Sequence, residues 1–376
     1  MDSYKKKVFL DILIIFILSL LPFWWLRGGY VVLGHDAGTP ISPQAHFLDR
    51  LNTWTYRYNE GSDQSYALAG FFLHGFEAAL EFLPVSLSIQ QSIQFSTYFF
   101  LFGLSMYIFS KTIFNDEKNY IPLLAAIIYQ FNHFILQAWF IAERTKFTLY
   151  IALPLILSII IVLFRKKSNP YRLGIMSALI LWIFNGGGFL PLFGALIVSS
   201  LILFLMLLFN SKNYRQMLLR GLKFIFTTLL ISVLVHSYWL LPFVSYVKTN
   251  FSSSVAEAGG LAGVLNWLAA ISKDTSFINM FRLQGIQEWY VNTQHPYARN
   301  YLNIFATAIS FLIPTIFIFS LKFKNKKNNI IITSLILISL VSLFFMAGSH
   351  PPFGWLYVQL IKYVPGFIAF RTPYYK

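Results

Sequence analysis

Apolar runs of about twenty residues recur along the whole chain, and no other feature constrains its fold as strongly. The runs are continuous, without the alternation of a membrane β-barrel strand. Only 11% of the residues are charged and 57% are hydrophobic, whereas a soluble domain carries about a quarter charged residues. Too few charges remain to coat a soluble surface. The reading that follows is an all-α fold, a polytopic membrane helical bundle of about nine spans with external interfacial helices. The spans are expected at 8–26, 92–114, 120–140 and 147–164, as a pair within 173–209, and at 221–241, 301–321 and 330–347. Asn185-Gly186-Gly187-Gly188 is expected to turn the chain between the paired spans.

The basic residues set the expected orientation. Lys5-Lys6-Lys7, Arg165-Lys166-Lys167 and the lysines of 322–327 fall in short stretches between apolar runs. With the N-terminus in the cytoplasm, these stretches share one side, as the positive-inside rule requires. That side holds more than half of the 29 basic residues but only four of the 14 acids, Asp2, Asp11, Asp116 and Glu117. The net charge of +15 is therefore read as topological, and nucleic acid is not an expected partner. The lipid bilayer is. The long polar segments, 27–91 and 243–300, fall on the opposite, external face of a plasma-membrane protein. The chain is read as one transmembrane domain, 1–376.

Cysteine is absent, which removes disulfides, thiolate nucleophiles and Cys-ligated metals. No Walker A sequence, nucleophile elbow, HExxH or dinucleotide fingerprint occurs. No metal site and no cofactor is assigned. The region 64–83 is apolar but interrupted by His74, Glu77 and Glu81 on one helical stripe. That spacing suits an amphipathic interfacial helix better than a span, and a polar face better than a metal site.

The first polar stretch after the first span holds His35 and Asp36, between Gly34, Gly38, Pro40 and Pro43, in a segment whose backbone angles are shaped by those residues. Further along the external side come Glu143, Arg144 and Lys146, then Arg282, Glu288, His295, Arg299 and Arg371. One carboxylate beside one or two cations at the outer interface suits glycosyl transfer from a lipid phosphate. The acid takes the acceptor's hydroxyl proton, and the cations steady the leaving phosphate. Asp36 is the expected general base. His35, Glu143, Arg144, Lys146 and Arg371 are the expected substrate contacts.

Several short motifs carry a resemblance. An acid after the first span is followed by Pro43, Phe47-Leu48 and Trp54. Further on come Tyr238-Trp239-Leu240-Leu241-Pro242, Pro351-Pro352-Phe353-Gly354, Val364-Pro365-Gly366-Phe367 and Phe370-Arg371-Thr372-Pro373. In these the chain resembles the N-terminal region of the large bacterial α-arabinofuranosyltransferases, integral-membrane glycosyltransferases of the GT-C superfamily. The resemblance implies transfer of an arabinofuranose-like sugar from a polyprenyl-phosphate donor to a glycan or glycolipid acceptor of the cell envelope. It also implies that the chain is the N-terminal part of a longer protein. Where that family tends to have Asp-Thr-Lys, this chain has Asp36-Ala37-Gly38. Two alternatives stand beside this reading: a YfhO-like membrane protein modifying another lipid-linked glycan, and a non-enzymatic transporter or flippase.

Overall fold

The computed structural model describes residues 3–33, 40–56, 61–114, 120–132, 134–135, 144–166, 168–188, 190–257, 259–284, 302–320 and 328–372. These residues are almost entirely helical, with one two-residue strand pair, Trp54–Thr55 against Ser62–Asp63. Six helical stretches are long and apolar enough to cross a membrane: Tyr4–Trp25, Leu87–Ile113, Arg144–Arg165, Pro191–Phe209, Tyr214–Lys248 and Asn329–Ala347. Phe9, Phe16 and Ile17 point outward from the first of these, which suits a helix whose surroundings are lipid.

In chain order the helices are α1 (Ser3–Ser19), α2 (Leu21–Trp25), α3 (Pro43–Arg50), α4 (Phe71–Glu81), α5 (Leu87–Ile113), α6 (Ile121–Gln130) and α7 (Arg144–Arg165). They continue with α8 (Pro170–Ile183), α9 (Leu190–Phe209), α10 (Tyr214–Glu257), α11 (Gly260–Ile271) and α12 (Phe277–Phe281). The last are α13 (Ile304–Ser310), α14 (Leu312–Ser320), α15 (Asn329–Ala347) and α16 (Gly354–Tyr363). The described chain divides into two compact units. One comprises Met1–Phe189 and Leu203–Val247; the other comprises Leu190–Ile202 and Lys248–Lys376.

Three departures from the sequence reading have local causes. The third expected span, of which 133 and 136–140 lie outside the described residues, is interrupted within its described part: α6 ends at Gln130, and Asn132 gathers the free groups there. Its side-chain amide donates to the Ile128 and Tyr129 carbonyls, and its oxygen accepts from the Ile135 N–H. The span expected at 221–241 does not end there, since α10 runs on through Pro242 to Glu257. A proline removes one intrahelical bond, and α10 bridges that loss. At 1.5 Å per residue the 44 residues of α10 reach roughly 66 Å, well beyond a hydrocarbon core of about 30 Å. The segment 301–321 forms two short helices, α13 and α14, in its described part. The expected Gly turn after α8 is present as a tight helical turn at Gly186–Gly188, with Gly186 and Gly187 at positive φ.

The first unit is centred on α5. Phe95, Phe99 and Phe102 recur at helical spacing on one face and are almost fully buried. They pack with Leu26, Leu73, Phe147 and Ile151 from three other helical or loop segments. The rings meet mainly edge to face, as at Phe102–Phe147 with centroids 5.5 Å apart. At the far end of α5, Tyr107 donates a hydrogen bond of 2.9 Å to Asp11 of α1, whose carboxylate also faces Lys7 at 3.7 Å. Asp11 is 5% exposed and so faces a neighbouring helix, not headgroups. In the second unit Tyr357 of α16 is buried against Val264 and Leu268 of α11, and its hydroxyl donates to the Phe370 carbonyl at 2.6 Å.

At Gly103, side chains of α1 and α6 close on the backbone of α5. A methyl group there would meet Ile15 and the fully buried Gln130, whose amide donates to the Phe99 carbonyl at 2.9 Å. Gly103→Ala is therefore expected to destabilise the first unit by about 1–3 kcal/mol, the usual cost of overpacking. Ile108→Ala, at an exposed position of the same helix, should change stability by less than about 0.5 kcal/mol. Thermal unfolding of both variants in detergent checks the contrast.

Candidate functional site

The first unit contains a polar centre built by three helices at one end of α5. From α4 comes Glu77, which is 4% exposed. Arg144, the first residue of α7 and also 4% exposed, donates from Nη1 to Glu77 Oε1. Gln94 of α5 donates from Nε2 to the same oxygen at 2.7 Å, and the His74 Nδ1 lies 3.2 Å from Oε2. A carboxylate removed from water needs this kind of matching, because an unpaired buried charge is costly. Burial works against the charged form of Glu77. The Arg144 guanidinium and the bonds from His74 and Gln94 outweigh it and hold the carboxyl below its ordinary value of 4.5.

The helices arrive at this centre for identifiable reasons. Ser86 caps α5, accepting from the Ile89 N–H at 3.4 Å. The first turns of α5 then carry Ser88, Gln90, Gln91, Ser92 and Gln94, all buried. Gln91 binds the backbone of Val32 in both directions, accepting from its N–H and donating to its carbonyl, each at 2.7 Å. Ser88 donates to the carbonyls of Leu26 and Tyr30. On α4, one turn beyond Glu77, Glu81 accepts from the Gln44 N–H at 2.5 Å. It thereby places a carboxylate at the N-terminus of α3, where the helix dipole favours one. Pro40, Pro43, Glu77, Gln90, Gln91 and Gln94 enclose a small hollow at this end of α5.

His46 of α3 sits edge-on against His74, with ring centroids 4.8 Å apart. Its pKa is lowered from 6.5 to about 4, first by burial and then by the charges of His74, Arg50 and Arg144, with Glu77 opposing them. The ring is neutral at physiological pH.

Of the expected site residues, the structure brings together Arg144 and Lys146, both buried on the first turn of α7. Arg371 is exposed and belongs to the second unit. His35, Asp36 and Glu143 lie outside the described residues, as do Glu288, His295 and Arg299. The His74, Glu77 and Glu81 stripe does lie on one helix; Glu77 is buried against protein, while His74 and Glu81 are half-buried and hydrogen-bonded. The three glutamines of α5 were not singled out from the sequence. Their signal was there: three amides within five residues at the start of an apolar run must all find partners or stay wet. Among the described residues, no group of three or more His, Asp or Glu side chains is arranged to hold a metal ion.

No protein-family model matches the chain, and no curated protein or solved structure matches it.

Two expectations follow from the centre. Glu77→Leu or Arg144→Met alone should destabilise by roughly 3–5 kcal/mol, because each strands the other charge in the interior. The double variant Glu77→Leu/Arg144→Met should cost less than either single change, and unfolding midpoints in detergent report the cycle. The second expectation concerns acid. A histidine whose folded pKa is depressed binds its proton more readily when unfolded, so His46 favours the folded state fully above about pH 6.5. That contribution is lost as pH falls from 6.5 toward 4. The contribution of Glu77 persists lower and fades only below its ordinary 4.5. Wild-type midpoints should fall across the upper window, and His46→Gln should flatten that fall.

Proposed function

We propose that the chain is a membrane glycosyltransferase of the GT-C kind, transferring a sugar from a polyprenyl-phosphate donor to a cell-envelope glycan on the external face. The observation that carries this reading is the polar centre at one end of a bundle of membrane-length helices. It combines a carboxylate and cations beside apolar helices, the groups that transfer from a lipid phosphate calls for. The described residues on either side of the Asp36 segment belong to that same centre. Val32 is clamped by Gln91, and Pro40 borders the hollow beside Glu77 and Gln94.

In this reading the roles divide by chemistry. Glu77 is not the base, since its oxygens are occupied and its pKa is lowered, which makes a poor proton acceptor. Its part is to position α4, α5 and α7. Asp36 takes the acceptor's hydroxyl proton as the oxygen attacks the anomeric carbon. The bond from that carbon to the donor phosphate breaks, and the polyprenyl phosphate leaves with the electron pair. Lys146 supplies positive charge for the phosphate, and Arg144 acts through Glu77. The resemblance of the short motifs to those of arabinan-synthesising enzymes makes the donor a pentofuranose in this reading.

The test is turnover by the purified protein in nanodiscs, with polyprenyl-phosphate pentofuranose as donor and a short glycan as acceptor. Asp36→Asn should lower turnover by about 10²–10⁴-fold, the usual contribution of a positioned base, with the unfolding midpoint unchanged. Equal turnover of variant and wild type would remove Asp36 from the mechanism.

A further inference from the structure

The second unit contains a buried cation that is treated quite differently from Arg144. Arg282 follows α12 and is 8% exposed. Its Nη2 donates to Asn279 Oδ1 at 2.6 Å, and its Nη1 donates to Ser310 Oγ of α13 at 3.4 Å. Its guanidinium carbon lies 4.8 Å from the centre of the Phe311 ring. Both hydrogen-bond partners are neutral. Among the described residues no carboxylate comes within ion-pair distance, and the buried Nε–H has no acceptor. Asp274, eight residues before it, makes no ion pair with it.

The contrast with Arg144 is informative because both guanidinia are withdrawn from water to a similar degree. Arg144 is matched by a carboxylate that itself takes two further hydrogen bonds. Arg282 has a ring face, an amide oxygen and a hydroxyl, which orient the planar group without neutralising it. A buried charge in that condition is costly. A guanidinium presents five N–H donors in a fixed fork, and the unfilled Nε edge is the one that pairs side by side with an oxyanion. Asn279 holds one arm of the fork, its own amide fixed by a 2.9 Å bond to the Asp274 carbonyl, and Ser310 lies at the other arm. The Ser310 hydroxyl lies 3.3 Å from Gln284 Oε1 and 2.6 Å from the Thr307 carbonyl, so its hydrogen has alternatives when an anion arrives.

We propose that Arg282, with Asn279 and Ser310, forms an oxyanion-binding site for a phosphate group, supplied either as free phosphate or as the headgroup of an anionic lipid. The site is independent of the transfer reaction assigned to Asp36. The anion supplies the countercharge that the described residues withhold, and its binding stabilises the second unit.

The test uses the full chain purified in phosphate-free detergent buffer. Inorganic phosphate, added against chloride of matched ionic strength, should raise the unfolding midpoint saturably, by roughly 2–4 °C. In a parallel arm, phosphatidylcholine nanodiscs with and without phosphatidic acid are compared; a rise confined to that arm identifies the lipid headgroup as the source. Arg282→Met should abolish the response, Ser310→Ala should raise the half-saturating concentration several-fold, and Lys362→Gln should leave it unchanged. Absence of a rise in both arms, or an equal rise in Arg282→Met, overturns the proposal. If Arg282→Met does not fold, Ser310→Ala decides: an unchanged half-saturating concentration overturns it equally.

Discussion

One ion pair organises the first unit. Glu77 and Arg144 lie 67 residues apart in sequence and meet out of contact with water. Neither charge is tolerable there alone, so α4 and α7 must come together in one register for either to be buried. Gln94 brings α5 into the same arrangement, and His74 with His46 extends it to α3. Such a pair adds little net stability over apolar residues of the same shape. It selects one arrangement of greasy helices from the many that would bury a similar area.

The helix α5 shows how one element serves both packing and polarity. Its middle presents Phe95, Phe99 and Phe102 to the aromatic core, while its first turns present serines and glutamines. Those amides do more than fill a layer. Gln91 treats the backbone of Val32 as a strand would, with one bond given and one taken, and Ser88 holds the turn after the first span through two carbonyls. The polar segment that leaves the first span is therefore anchored by side chains, without a sheet. The two-residue strand pair at Trp54–Thr55 and Ser62–Asp63 is a minor addition.

Much of the helical framework was legible in the residues. The apolar runs around 8–26, 92–114, 147–164 and 330–347 all correspond to long helices, because a run of that length and hydropathy has little choice. The Gly turn before α9 was equally readable from its three glycines. Boundaries depended on contacts that no local pattern encodes. Pro242 reads as a stop and is passed over, whereas α6 ends before its apolar run does because Asn132 turns back to close it. Of the candidate site, Arg144 and Lys146 were legible only as loop charges ahead of the span at 147, whereas the structure carries them buried in the first turn of α7; His74, Glu77 and Glu81 were legible as one stripe. What the stripe faced was not legible, since a polar helix face reads the same whether water or an arginine covers it.

By itself, the sequence determined that this is a helical membrane protein. Composition and run length decide that question, because backbone polar groups in lipid must be satisfied within each segment. Tertiary structure alone decided which charges are withdrawn from water and what answers them. Glu77 receives an arginine from a distant helix, and Arg282 receives only neutral partners. The physical reason is that the energy of a buried charge depends on what surrounds it in space, and neighbours in space are not neighbours along the chain.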